Sequence, residues 1–142
     1  MKIEQAAYLS RVYHSICRAW GASEHQAEVF ARVILEGDLV GRPEQGMKIV
    51  QIDHLMGTHN QVNFTDEPTV EKQGVCHAVI NGHKGLGQYI LTRAMEKAIA
   101  LAKENTIGMV WVYNWLDIRL RQRLRATRPG TWWVWPSPTP CP

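Results

Sequence analysis

The segment from Val75 to Tyr113 most constrains what this chain can fold into. Val75–Ile80 is short, apolar and rich in β-branched residues, and Asn81-Gly82 follows it as a turn dipeptide. A glycine-rich stretch, Gly82-His83-Lys84-Gly85-Leu86-Gly87, leads into a helical pattern. Tyr89, Ile90, Ala94, Ala98, Ile99 and Leu101 fall on one face of that helix, and Asn105-Thr106 closes it. Ile107 to Tyr113 is again continuous and apolar, as a buried strand requires. Strand, crossover helix, strand is the grammar of an α/β unit.

Upstream the pattern is helical. From Glu4 to Trp20, apolar residues recur at helical spacing (Leu9, Val12, Tyr13, Ile16), and Gly21 stops the run. Ser23 to Gln26 has the form of a capping box for a second helix through Phe30, Ile34 and Leu35, ending near Gly37 to Gly41. Met47 to Met56 forms a third. Asn60 to Pro68 is a polar loop, and Thr69 to Gln73 a short strand. The expected fold class is α/β (α+β): a helical N-terminal region, residues 1–60, then the start of a mixed α/β domain, residues 61–118.

Charge divides the chain at Ile118. The 142 residues carry a formal net charge of +3. Up to Ile118 there are 11 basic and 13 acidic residues, a net of −2, whereas residues 119–142 hold five arginines and no acid. The same segment has five of the seven prolines and three of the six tryptophans, so residues 119–142 are expected to lack regular structure. Its Pro136, Pro138, Pro140 and Pro142 exclude a regular helix or a central strand. Arginines with interleaved tryptophans suit phosphates and bases, yet an accidental or non-native tail explains them better than a nucleic-acid partner.

Other function classes are disfavoured. No apolar run reaches the roughly 18 residues of a membrane span, and Met1 to Gln5 starts no signal peptide. Cys17, Cys76 and Cys141 are widely spaced and fit a reduced cytoplasm rather than a disulfide framework. His54 and His59, and His77 and His83, lack metal-ligand spacing, and no Gly-x-Ser-x-Gly elbow occurs. The glycine-rich stretch has two readings. Backbone N–H groups at the helix start, with Lys84, Gly85 and Gly87, suit a phosphate. Alternatively, the turn needs glycine for positive φ, because the spacing is not G-x-G-x-x-G.

Several segments together resemble the malate/L-lactate dehydrogenase family of NAD(P)-dependent 2-hydroxyacid oxidoreductases. They are Glu36-Gly37-Asp38-Leu39-Val40-Gly41, Asn81-Gly82-His83-Lys84-Gly85-Leu86-Gly87-Gln88, Ala94-Met95-Glu96-Lys97-Ala98-Ile99, and the strand Ile107-Gly108-Met109-Val110 with Asn114. The resemblance runs over residues 5 to 118 and implies NAD or NADP as cofactor, a small 2-hydroxy or 2-oxo acid as substrate, and a homodimer. It also implies a chain more than twice this long, so the form here is expected to be truncated and inactive alone. An alternative is a non-catalytic module that pairs with a full-length relative.

The site residues depart from the family pattern. Gln45 stands at a family histidine and Glu44 at a serine. Ile49 replaces an arginine beside Lys48, Asp53 replaces a tyrosine, and Asp117 stands at a second histidine. Gln45 and Asp117 therefore occupy the catalytic places, Lys48 is left as the substrate-binding cation, and Lys84, Gly85 and Gly87 are the cofactor-binding candidates. Hydride transfer to a 2-oxo acid needs a proton donor at the forming alkoxide, which histidine supplies near neutral pH and glutamine cannot.

A shifted reading frame accounts for residues 119–142. Codons for Arg119 to Arg125, read one base later, permit a Gly followed five residues on by Tyr-Ala, as the family pattern has. From Thr131, reading two bases later permits Leu-Val-Gly-Met-Ala. If the chain stops short, both faces and the edge of the strand at 107–113 are expected to lack partners.

Overall fold

A computed structural model describes residues 3–115 and 132–136. It divides into two compact units, Met1–Thr65 and Asp66–Pro142.

The first unit is helical: α1 (Ile3–Ala19), α2 (Glu24–Leu39), a 3-10 turn at Pro43–Gln45, and α3 (Met47–Thr58). The capping box forms as the spacing predicts. The Gln26 N–H donates to Ser23 Oγ (3.2 Å), and the Ser23 N–H donates to Gln26 Oε1 (2.8 Å). Tyr13, Cys17, Phe30, Ile34 and Ile49 are fully buried and form the core of this unit. Trp20 stacks on Phe64 at 4.8 Å and meets Phe30 edge-on at 5.7 Å.

The second unit is a four-stranded sheet with one helix. The strands are β1 (Thr69–Gln73), β2 (His77–Gly85), β3 (Gly108–Trp115) and β4 (Trp132–Pro136), in that spatial order, and α4 spans Gly87–Asn105. β1 is antiparallel to β2, whereas β2/β3 and β3/β4 are parallel. α4 covers one face through Ile90, Ala94, Ala98 and Leu101, against Ala78, Ile80, Val110 and Val112. Small residues bring helix and sheet close together. A Cβ at Gly108 would run into the Ala98 carbonyl and lie 2.8 Å from the Ala102 nitrogen.

Three expectations are corrected here. First, β2 does not turn at Asn81-Gly82. It continues to Gly85, because β3 lies alongside and pairs through Trp115 after a bulge. The reversal between β1 and β2 begins at Gly74, between the two expected strands, where its N–H donates to the His77 carbonyl; β2 starts at His77 rather than Val75, which is left 76% exposed. Second, β3 does not lack partners. Val110 and Val112 are fully buried and β4 occupies its free edge, although Met109 remains exposed. Third, within the tail expected to lack regular structure, Trp132–Pro136 forms that edge strand. An edge strand pairs on one side only, so a terminal proline is tolerated. The remaining tail residues, with their arginines, lie outside the described residues. Among the described residues, no helix is long and apolar enough to cross a membrane.

Candidate functional site

The end of α2 positions Gln45. Tyr13 donates its hydroxyl hydrogen to Asp38 Oδ2 (2.5 Å), and the Met47 N–H donates to Asp38 Oδ1 (3.2 Å). One carboxylate thus ties α1, α2 and the start of α3 together. Two glycines make this possible. A Cβ on Gly37 would strike the Gln45 carbonyl, and one on Gly46 would strike the Asp38 carboxylate. The 3-10 turn is therefore pressed against α2, with Gln45 half-buried and Glu44 exposed on it. Burial, and then Asp38, push the Tyr13 phenol well above its usual range, so it remains a hydrogen-bond donor.

Lys48 is exposed on the first turn of α3, whereas Ile49 is fully buried. Ile49 therefore faces the core, and Lys48 is the exposed cation beside the turn. Asp53, also on α3, is fully buried. Burial, reinforced by Asp53, pushes the Cys17 thiol up to about 12. The thiol therefore stays protonated and inert in the core.

Lys84, Gly85 and Gly87 belong to the second unit. Lys84 is exposed, while Gly85, Leu86 and Gly87 are buried. The glycines do not carry the positive φ that one reading assigned to them. That conformation falls on His83 (49°) and Lys84 (57°), inside the bulge. Gly82 has a packing role, since a Cβ there would lie 2.9 Å from both Ile90 Cδ1 and Trp115 Cβ. Leu86, the N-cap of α4, makes no side-chain cap hydrogen bond. Asp117 lies outside the described residues. Gln45 and Lys48 thus share one turn and helix start, and the cofactor candidates share another segment.

A polar network across β1, β2 and β3 was not anticipated. Asn81 Nδ2 donates to Glu71 Oε1 (3.0 Å), and the Tyr113 hydroxyl donates to Glu71 Oε2 (2.5 Å). Asn81 Oδ1 accepts from the His83 N–H and from Asn114 Nδ2, both at 3.0 Å. The Tyr113 and Asn81 bonds hold the Glu71 carboxyl below its usual range. Asn114, at φ 53°, is thereby held at the end of β3. The register of three strands creates this network, and no local motif announces it. Among the described residues no group of three or more His, Cys, Asp or Glu could hold a metal.

Comparison with known proteins agrees with this architecture. The family model for malate/L-lactate dehydrogenase matches residues 5–118. L-sulfolactate dehydrogenase of Methanothermobacter thermautotrophicus is 29% identical over 106 residues, 73% of this chain and 30% of that relative. Ureidoglycolate dehydrogenase (NAD(+)) of Escherichia coli is 27% identical over 112 residues, 79% of this chain and 32% of that enzyme. The structure of malate dehydrogenase from Pyrococcus horikoshii superposes with a TM-score of 0.75 at 27% identity, over 79% of this chain and 32% of that one. The chain thus spans about 30% of the length of the relatives it matches. The glycines packed around Asp38 and along β2–α4–β3 lie in the matched region, and the chain belongs to the malate/L-lactate dehydrogenase family.

Proposed function

We propose that this chain carries part of an NAD(P)-dependent oxidoreductase acting on a 2-hydroxy or 2-oxo acid, and that it catalyses no turnover alone. The observation that supports this is Gln45. The joint that presents it is intact, with Asp38 bonded on both carboxylate oxygens, yet the presented group cannot titrate. Gln45 would hydrogen-bond the substrate oxygen. Lys48 would meet the substrate carboxylate as a point charge, not as a bidentate fork. Asp117 would give up a proton near neutral pH only where burial raises its pKa. Lys84 would hold a cofactor phosphate, with Gly85 and Gly87 keeping the backbone close. The nicotinamide supplies the hydride when bound.

The test is NADH and NADPH binding by the purified chain, followed by turnover with malate, lactate and their 2-oxo acids. Binding without turnover is expected. Turnover at an ordinary enzymatic rate, roughly 1 s⁻¹ or above, overturns the proposal.

A second reading is a non-catalytic module that pairs with a full-length relative or with its own copy. Exposed apolar side chains at Val70 and Met109 on the sheet, and at Ile52 and Leu55 on α3, favour it. Co-purification with a tagged full-length relative supports it, and separate elution counts against it. Salt-sensitive binding to single-stranded nucleic acid, lost on deleting residues 119–142, would favour the tail as the functional part instead.

A further inference from the structure

A groove of about 450 Å³ lies along the seam between α1 and α2, far in sequence from Gln45 and Lys48. Its walls are Ser10, Arg11, His14 and Ser15 from α1, and Glu28 and Arg32 from α2. The spacing within each set is that of one helix face. The volume lies within the range of small-molecule sites.

Of the two carboxylates near the groove, Glu24 is engaged elsewhere and Glu28 lines it. Glu24 takes His14 Nε2 at 2.9 Å and Arg18 Nε at 3.4 Å. The Glu28 carboxylate lies 4.0 Å from His25 Nδ1, three residues back on its own helix. Among the described residues, no carboxylate comes within 4.0 Å of the Arg11 or Arg32 guanidinium. Two guanidiniums lining one groove from different helices suit an oxyanion, because each fork can donate two parallel N–H bonds. The Ser10 hydroxyl adds a neutral donor. Glu28 repels a second anionic group further along the groove but accepts from hydroxyls. The compatible ligand therefore has one compact anionic head and an uncharged hydroxylated body.

We propose that this groove binds a small phosphate monoester of a polyol, with Arg11 and Arg32 on the phosphate and Glu28 accepting from its hydroxyls. The site is independent of the dehydrogenase reading and of the cofactor candidates at residues 84–87.

The test is calorimetric titration of the full chain with glycerol 3-phosphate, inorganic phosphate and glycerol. Saturable binding of glycerol 3-phosphate is expected, with inorganic phosphate weaker and glycerol silent. Arg11→Gln and Arg32→Gln should each weaken it at least tenfold. Glu28→Gln should weaken glycerol 3-phosphate but not inorganic phosphate. Lys103→Gln, an exposed cation on α4, serves as a control that leaves binding unchanged. All four positions are exposed, so ligand-free melting points should match the parent and separate lost binding from lost folding. No saturable binding, or binding unaffected by the double Arg11→Gln/Arg32→Gln variant, overturns the proposal. Equal affinity for inorganic phosphate overturns the assignment of a hydroxylated ester.

Discussion

Asp38 accepts from Tyr13 and from the Met47 backbone, and the residues around it must be glycine for that geometry to exist. Gly46→Ala would force a methyl group into the Asp38 carboxylate. The expected cost is about 1–3 kcal/mol, as for overpacking elsewhere, measured by urea unfolding. Gly37→Ala should cost at least as much, because the obstacle is the Gln45 backbone carbonyl, which is less able to move. Either variant behaving as the parent would mean that the joint is slack. Lys84 presents the opposite case. It sits at positive φ and is exposed, so Lys84→Gly should stabilise the chain by about 1 kcal/mol by relieving the left-handed conformation. The same change should weaken NADPH binding if the ammonium meets a phosphate. A thermal melt and a cofactor titration on one variant read the two effects separately.

At the scale of elements, α1 and α2 carry a pH dependence. The Cys17 thiol is pushed from 9.0 up to about 12 by burial, then by Asp53, and the Tyr13 phenol is raised as well. Both groups are neutral when protonated, and the folded state keeps those protons longer than the unfolded chain does. Their stabilisation is therefore complete below pH 9 and falls as pH rises from 9 towards 12. Unfolding free energy should decline over that window, and the decline should be shallower in Cys17→Ala. An unchanged slope would show that the thiol is solvated in the folded state. The helices were the legible elements. The capping box, the stop at Gly21 and the apolar faces of α2 and α4 are local signals that the structure bears out, whereas on α3 the apolar spacing misleads, because Ile52 and Leu55 are exposed. Asn81-Gly82 misled, because a turn dipeptide states only a local preference. The partner strand β3 overrode it and drew the backbone on to Gly85.

Across the whole molecule, the edge of β3 is where sequence and structure part most. β4 pairs there in parallel, from Gly108↔Trp132 to Val112↔Pro136. Deleting residues 132–142 should bare a row of backbone donors and acceptors on β3 and promote self-association, seen by sedimentation. A deletion variant as monodisperse as the parent would show that β4 is dispensable. The shifted-frame account of residues 119–142 makes a separate prediction. The DNA past codon 118 should encode family-like sequence in another frame, and its absence there ends that account. The sequence by itself determined the helices, the α/β grammar and the family, because periodicity, caps and motif residues are local. Only the tertiary structure decided the rest. It set the end of β2, the role of the glycines around Asp38, the Glu71–Asn81–Asn114 network and the two arginines lining one groove. Each of these depends on which distant backbone lies within hydrogen-bonding or van der Waals reach, and linear order alone does not specify that.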